Sequence, residues 1–245
     1  MLKKLYSKSK LWFALAWIIA YCVLMSAGDT LSALVGAEKS VTLVIGVFLS
    51  AVLLLFLHKN GLFEEYGLCK PKTSARSMLY YVPIVIMFTV NLWHGVTLSY
   101  GIAETVFYIL SMLCVGFLEE LIFRGLLFEA MRKDNLKAAV IVSSLTFGIG
   151  HIINLVNGSG AELLPNLLQV VYATAAGFMF VMIYYTSKSL LVCIASHGIF
   201  NALSVFANEA GITSTERILT AVLLTVITGL YGAILPLHQK RNNVG

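Results

Sequence analysis

Two adjacent glutamates and an arginine stand in an otherwise apolar stretch, residues 116–125 (GFLEELIFRG). A charged side chain at the centre of a membrane helix costs about 2.5–3.5 kcal/mol on insertion scales, so such a cluster points to a function. Glu120 and Arg124 are four residues apart with the acid first, the favoured order for an ion pair on a helix. Glu119 lies about 100° further round the helix. The spacing predicts that Arg124 neutralises Glu120, whereas Glu119 is available for chemistry.

Two histidines further along the chain also have polar or aromatic partners at helical spacing. His151 follows Phe147 by four residues, and His197 precedes Asn201 by four, so each pair shares one face of a helix. Glycines next to both histidines allow helices to approach closely, as small residues do in membranes. Counting about 1.5 Å per residue from the predicted helix ends places these groups and Glu119 in one layer of the bilayer. We expect the three helices to converge there.

These residue types together favour hydrolysis by an activated water molecule. A carboxylate and an imidazole can share a water, deprotonate it and deliver it to a peptide carbonyl. The second histidine with its asparagine offers donors to the developing oxyanion. Serine nucleophiles are less well supported, because Ser196 lies on another face from His197, and Ser143 and Ser144 have no base nearby in the sequence.

The composition indicates a polytopic, all-α membrane protein. Hydrophobic residues make up 59% of the 245 and charged residues only 12%, against about 25% charged residues in soluble domains, and the mean hydropathy is +0.87. The net charge of +5 does not indicate nucleic-acid binding, because the basic residues are spread over short loops. We expect a single domain over residues 1–245, with the lipid bilayer as its partner. The four cysteines show no paired spacing, which favours small core residues over disulfides or metal ligands.

Hydropathy predicts about eight membrane-spanning helices, near residues 11–26, 41–57, 77–98, 104–131, 138–155, 165–186, 189–207 and 218–237. An even number of spans puts both termini on one side. Most lysines and arginines fall in the loops of that side, whereas the opposite loops hold only Lys39 and Arg217. The positive-inside rule therefore predicts cytoplasmic termini, and the short loops suit a bacterial plasma membrane. Trp12, Trp17 and Tyr21 in the first span are interpreted as lipid-facing or interfacial aromatics.

The motifs, in this order and each on a predicted span, resemble those of the CAAX protease and bacteriocin-processing (CPBP, or Abi) family, which includes the type II CAAX prenyl endopeptidases. The residues that carry the resemblance are Glu119-Glu120-x-x-x-Arg124, Phe147-x-x-x-His151 and His197-x-x-x-Asn201. The resemblance covers about residues 77–207, which we predict to be the catalytic core. It implies a CAAX-protease-like helical bundle with intramembrane endopeptidase activity.

The resemblance also implies a role for each motif residue. Glu119 would activate the water with the help of His151. His197 and Asn201 would stabilise the oxyanion. Glu120 and Arg124 would orient the site. Members of the family have often been labelled metalloproteases, and Glu119, His151 and His197 could hold a zinc ion. A metal-free, glutamate-dependent mechanism accounts better for Asn201, so we expect no required cofactor and keep zinc as the alternative.

The expected substrate is a peptide or a membrane-anchored protein. For a prokaryotic protein, analogy with the family favours processing of bacteriocin or signalling-peptide precursors, or self-immunity, over maturation of prenylated proteins. Two other classes of function stay open at this point. One is a proton-coupled transporter in which Glu119 and His151 relay protons. The other is a non-catalytic immunity or scaffold protein that works by binding.

Overall fold

The chain is an all-helical bundle, as the sequence predicts. The computed structural model describes residues 2–157 and 160–242, and in these ranges it has no β-strand, only an isolated antiparallel bridge between Val96 and Ala207. The α-helices of the described residues are α1 (Leu2–Lys8), α2 (Lys10–Val35), α3 (Ser40–Lys59), α4 (Val82–Thr89), α5 (Ile102–Glu119), α6 (Glu129–Arg132), α7 (Leu136–Gly150), α8 (Leu163–Ser187), α9 (Leu191–Leu203) and α10 (Ser214–Asn242). A π-helical segment, Glu120–Phe128, joins α5 to α6 in one continuous helix.

Six helices of the described chain are long and apolar enough to cross a membrane. They are Lys10–Val35, Ser40–Lys59, Ile102–Arg132, Leu136–Leu155, Leu163–Ser187 and Ser214–Lys240. Each corresponds to one of the predicted spans. The remaining two predicted spans, 77–98 and 189–207, are instead shorter apolar helices, Leu79–Leu92 and Leu191–Phe206. The polytopic helical bundle is thus confirmed, but the count of eight full-length spans is not.

The backbone explains why the third predicted span is short. Leu79, Tyr80 and Tyr81 all have left-handed backbone conformations, with φ of 52°, 53° and 55°, and these interrupt a helix. Pro83 then occupies the first turn of α4, where its missing N–H group costs no hydrogen bond. Gly95, with φ of 96°, turns the chain soon after the helix ends. Hydropathy registers the apolar side chains here but not these backbone interruptions.

The bundle has two ends that differ in their loops. The terminal end is defined by residues 2–9, 60–78, 133–135 and 188–190. Here the connector after α3 contacts the N-terminal and the C-terminal parts of the chain. The Tyr66 hydroxyl donates to the Tyr6 hydroxyl, and the Gln239 amide donates to Met78 Sδ. The distal end comprises residues 36–39, 93–101, 207–213 and the described part of 156–162. There the Glu38 backbone N–H donates to Glu104 Oε1.

One side of α2 faces the interior of the bundle. Trp17 and Tyr21 are only 6% and 7% exposed, so their interpretation as lipid-facing or interfacial aromatics is wrong. Phe13, Trp17 and Tyr21 follow one another at intervals of four residues and so share one helical face. Phe13 and Trp17 contact each other edge to face. Trp12 lies on another face and is 65% exposed, which fits the lipid-facing interpretation.

Glycines bring the motif helices into backbone contact. A β-carbon on Gly116 of α5 would lie 2.5 Å from the backbone nitrogen of Gly198 in α9, and one on Gly148 of α7 would lie 2.8 Å from the backbone nitrogen of Thr174 in α8. Of the glycines near the two histidines, Gly148 and Gly198 thus make close contacts, whereas Gly150 has nothing within 4 Å of its β-position. These contacts set the distances between the motif side chains.

Replacing Gly116 by alanine should separate α5 from α9. The added methyl group meets backbone atoms that cannot rotate away, so we expect a loss of about 1–3 kcal/mol in the free energy of unfolding. Thermal unfolding of the detergent-purified protein measures this loss. Gly229→Ala is the matched control, because nothing lies within 4 Å of its β-position in α10. Equal stability of the two variants would contradict the close contact.

Candidate active site

The first motif lies where α5 passes into the π-helical segment. Glu119 is the last residue of α5 and Glu120 the first of the π segment. All nine residues of the segment are buried, which agrees with its packing against α2 and α7. π-Helical turns are rare and occur often at functional sites. The two glutamates therefore enter the protein interior from a segment whose backbone differs from a regular helix.

Glu120 and Arg124 form a completely buried ion pair. Arg124 Nη1 lies 3.0 Å from Glu120 Oε1, and neither side chain is exposed to solvent. The guanidinium carbon also lies 4.0 Å from the centroid of the Phe147 ring, so the cation faces an aromatic surface. This is the pairing that the spacing predicts. It neutralises Glu120 in the protein interior.

His197 connects this ion pair to the other glutamate. Its Nδ1 lies 2.8 Å from Glu120 Oε1, and its Nε2 lies 3.5 Å from Glu119 Oε2. A carboxylate paired with arginine can only accept hydrogen bonds, so Nδ1 carries the proton that it donates to Glu120. The ring also stacks on Phe180, with an interplanar angle of 20°. Glu120 and Phe180 thus fix the ring so that Nε2 is directed towards Glu119.

Tyr21 is a site residue that our sequence analysis missed. Its hydroxyl donates a hydrogen bond of 2.6 Å to Glu119 Oε1. The other oxygen, Oε2, is buried and has no hydrogen-bond partner among the described residues. A signal was present in the sequence, because Tyr21 lies about 16 Å into α2 at 1.5 Å per residue, near the depth of Glu119 in its own helix. The two oxygens of Glu119 therefore have different surroundings.

A cavity of about 710 Å³ reaches Glu119 from the distal end of the bundle. Its lining includes Tyr21, Glu119, His151 and Asn201. A smaller adjacent cavity of about 40 Å³ is lined by His197 together with His151 and Asn201. The structure thus brings the predicted acid, both histidines and the amide to the same pair of cavities, while Glu120 and Arg124 lie buried behind them.

His151 sits at the point where α7 changes into a 3₁₀ turn, His151–Leu155. Its carbonyl accepts a hydrogen bond of 2.8 Å from Asn166 Nδ2, and its ring contacts Phe147 edge to face. Asn154, for which the sequence left open a role in lining the site or bonding the backbone, lines the cavity and donates to Gln169 Oε1. His151 shares the cavity with Glu119, and a water molecule can bridge two polar groups in such a space.

The geometry of the site does not fit the zinc alternative. In residues 2–157 and 160–242, no three His, Cys, Asp or Glu side chains are arranged as a set of metal ligands, and this includes Glu119, His151 and His197. His197 instead directs each ring nitrogen at a different carboxylate. The expectation that no cofactor is required stays a prediction.

The segment that holds all three motifs matches a known family model. Residues 101–203 match the Rce1-like model, described as type II CAAX prenyl endopeptidase Rce1-like. The family resemblance is confirmed. The Rce1-like segment lies inside the predicted core, 77–207, and at the family level it supports a CAAX-type protease that is integral to the membrane. A search of curated proteins found no match. Tyr21 lies outside the Rce1-like segment.

Removing the buried arginine should destabilise the protein strongly. Arg124→Met leaves the Glu120 carboxylate buried without its cation, and breaking a buried pair in this way costs about 3–5 kcal/mol. Arg217→Met is the matched control, because the Arg217–Glu209 pair is partly exposed and such pairs contribute about 1 kcal/mol or less. Thermal unfolding in detergent compares the two variants. In the double variant Glu120→Gln/Arg124→Met part of the loss should return, and equal stability of the two single variants would contradict this account of the pair.

Proposed function

We propose that this chain is an intramembrane endopeptidase in which Glu119 activates a water molecule for peptide-bond hydrolysis. The observation that carries the proposal is the position of Glu119. Its carboxylate lies at the inner end of the large cavity, with Oε1 held by the Tyr21 hydroxyl and Oε2 next to His197 Nε2. The carboxylate is thereby held in one orientation, as a general base requires.

The proposed reaction transfers one water proton through Glu119. The Glu119 carboxylate takes a proton from water as the water oxygen bonds to the peptide carbonyl carbon, which gives a tetrahedral intermediate. The C–N bond then breaks, and Glu119 returns the proton to the leaving nitrogen. The products are a carboxylic acid and an amine. His151 shares the cavity and is the residue that we propose orients the water.

His197 and Asn201 are the proposed donors to the oxyanion, with His197 donating from Nε2 in its doubly protonated form while Nδ1 stays bonded to Glu120. They stand four residues apart on α9 and together line the smaller cavity beside Glu119. Donors held in place before the reaction stabilise the developing charge, and removing one such donor typically costs about 10²–10³ in kcat. Glu120 and Arg124 do not reach the cavities, so we assign them a positioning role: Glu120 holds His197 through Nδ1, and Arg124 neutralises Glu120.

The family match favours a hydrolase over a transporter, because residues 101–203 match a model of type II CAAX prenyl endopeptidases. The cavities alone do not separate the two functions, since one state of an alternating-access transporter is also open to one end only. No residue of the terminal-end loops lines either cavity in the described part of the chain, and the fully buried π segment lies between them and that end. A binding-only protein stays distinguishable by experiment, because it would not require the carboxylate of Glu119.

Glu119→Gln should abolish peptide cleavage. The amide is nearly the same size but cannot accept the water proton, and loss of a general base costs about 10²–10⁴-fold in rate. The wild type and the variant are purified in detergent and incubated with proteome-derived peptides and short membrane-anchored peptides, and mass spectrometry detects new termini. We expect cleavage by the wild type only, unchanged by a chelator. Cleavage that a chelator abolishes and zinc restores would refute the metal-free mechanism, and equal cleavage by the variant would refute the role of Glu119.

Tyr21→Phe should reduce the rate and leave substrate binding intact. The hydroxyl holds the Glu119 carboxylate in one orientation, and a misplacement of about 1 Å at a reacting group can cost about 100-fold in rate, so we expect kcat to fall about tenfold or more with little change in KM. Tyr66→Phe is the control, because this buried hydroxyl bonds Tyr6 at the terminal end, away from both cavities. A normal kcat in Tyr21→Phe would show that the hydrogen bond to Glu119 plays no part in the reaction.

A further inference from the structure

The two ends of the bundle carry opposite charge. The loops of the terminal end and the helix ends that adjoin them hold most of the lysines and arginines of the chain. In the loops of the distal end and the two helical turns that adjoin them acids outnumber bases, with Asp29, Glu38, Glu104, Glu162, Glu209 and Glu216 against Lys39 and Arg217. Since the whole chain has a net charge of +5, the negative potential is confined to one end.

The large cavity opens at this acidic end. Asp29, Glu162 and Glu209 are in its lining, as are both distal-end bases. Lys39 Nζ lies 2.8 Å from Asp29 Oδ1, and Arg217 Nη1 lies 3.1 Å from Glu209 Oε2. Each base is therefore already paired with an acid, and the remaining excess at the cavity mouth is negative.

Two residues that line the cavity contain a buried polar atom with no hydrogen-bond partner in the described chain, namely Glu119 Oε2 and Asn166 Oδ1. Both are acceptors. Glu119 is only 9% exposed, and Asn166 only 2%. Cationic side chains donate hydrogen bonds and carry the charge opposite to the excess at the mouth, so a basic ligand suits this end of the cavity.

We infer that the substrate is a positively charged polypeptide segment that enters the cavity from the distal end of the bundle. This inference rests on the proposed function and adds the charge of the substrate and its direction of approach. An excess of one charge around a cleft raises the association rate of oppositely charged ligands, by about 10-fold or more in favourable cases, and salt weakens the effect. The basic loops of the terminal end identify that end as cytoplasmic by the positive-inside rule. The substrate therefore arrives from the non-cytoplasmic side.

The charge of the substrate is tested with the same proteome-derived peptides that are used for the Glu119→Gln experiment. Cleaved peptides should be more basic than uncleaved ones. For the best cleaved peptide, Glu162→Gln/Glu209→Gln should lower kcat/KM about tenfold at low salt with kcat unchanged, and the difference should vanish at high salt. Glu64→Gln, at the exposed terminal end, is the matched control and should behave as the wild type.

The direction of approach is tested by labelling cysteines in intact cells. In a background in which alanine replaces the four native cysteines, Asn208→Cys places a thiol in the cavity lining and Lys70→Cys places one at the terminal end. A membrane-impermeant maleimide should label the first in intact cells and the second only after permeabilisation. The reverse pattern would overturn the direction that we infer, whether or not the protein is a protease.

The outcomes separate this inference from the function on which it rests. If the wild type cleaves basic and acidic peptides alike, and the double variant cleaves as the wild type does, the charge preference is overturned while the protease stands. If the wild type cleaves no peptide and no membrane-anchored peptide, the proposed function fails, and the substrate inference fails with it.

Discussion

The buried pair of Glu120 and Arg124 is the interaction on which the site depends. Two charges with no solvent exposure are tolerable in a membrane only when they neutralise each other, and here the Phe147 ring covers the cation. The same Glu120 oxygen also accepts from His197. One carboxylate thus joins α9 to the π segment and determines which nitrogen of His197 is directed at Glu119.

Close helix contacts make this arrangement possible. His197 can reach both glutamates because α5 and α9 touch at Gly116 and Gly198, with no side chain between the two backbones. Gly148 provides the equivalent contact for the helix that carries His151. Without a hydrophobic driving force between helices in lipid, such packing and the polar contacts that it permits hold a membrane bundle together.

The sequence predicted the parts of the molecule that depend on local spacing. The Glu120–Arg124 pair follows from an interval of four residues, and the helical bundle follows from hydropathy. The short third helix was missed because left-handed residues and a proline, not side-chain polarity, interrupt it. Tyr21 was missed, although its depth in α2 is close to that of Glu119, because its partner lies 98 residues away and depth alone does not pair two helices. Contacts between distant helices do not leave a periodic pattern along one helix.

Tyr21 also shows that the candidate site extends beyond the matched segment. The Rce1-like segment begins at residue 101, yet the hydroxyl on Glu119 comes from α2, and α10 supplies part of the cavity wall. A fragment cut at the boundaries of the matched segment would keep every motif residue and lose these walls. Two proteins with identical motifs can therefore hold the glutamate differently, and a candidate active site in this architecture is delimited by its cavity rather than by its sequence motifs.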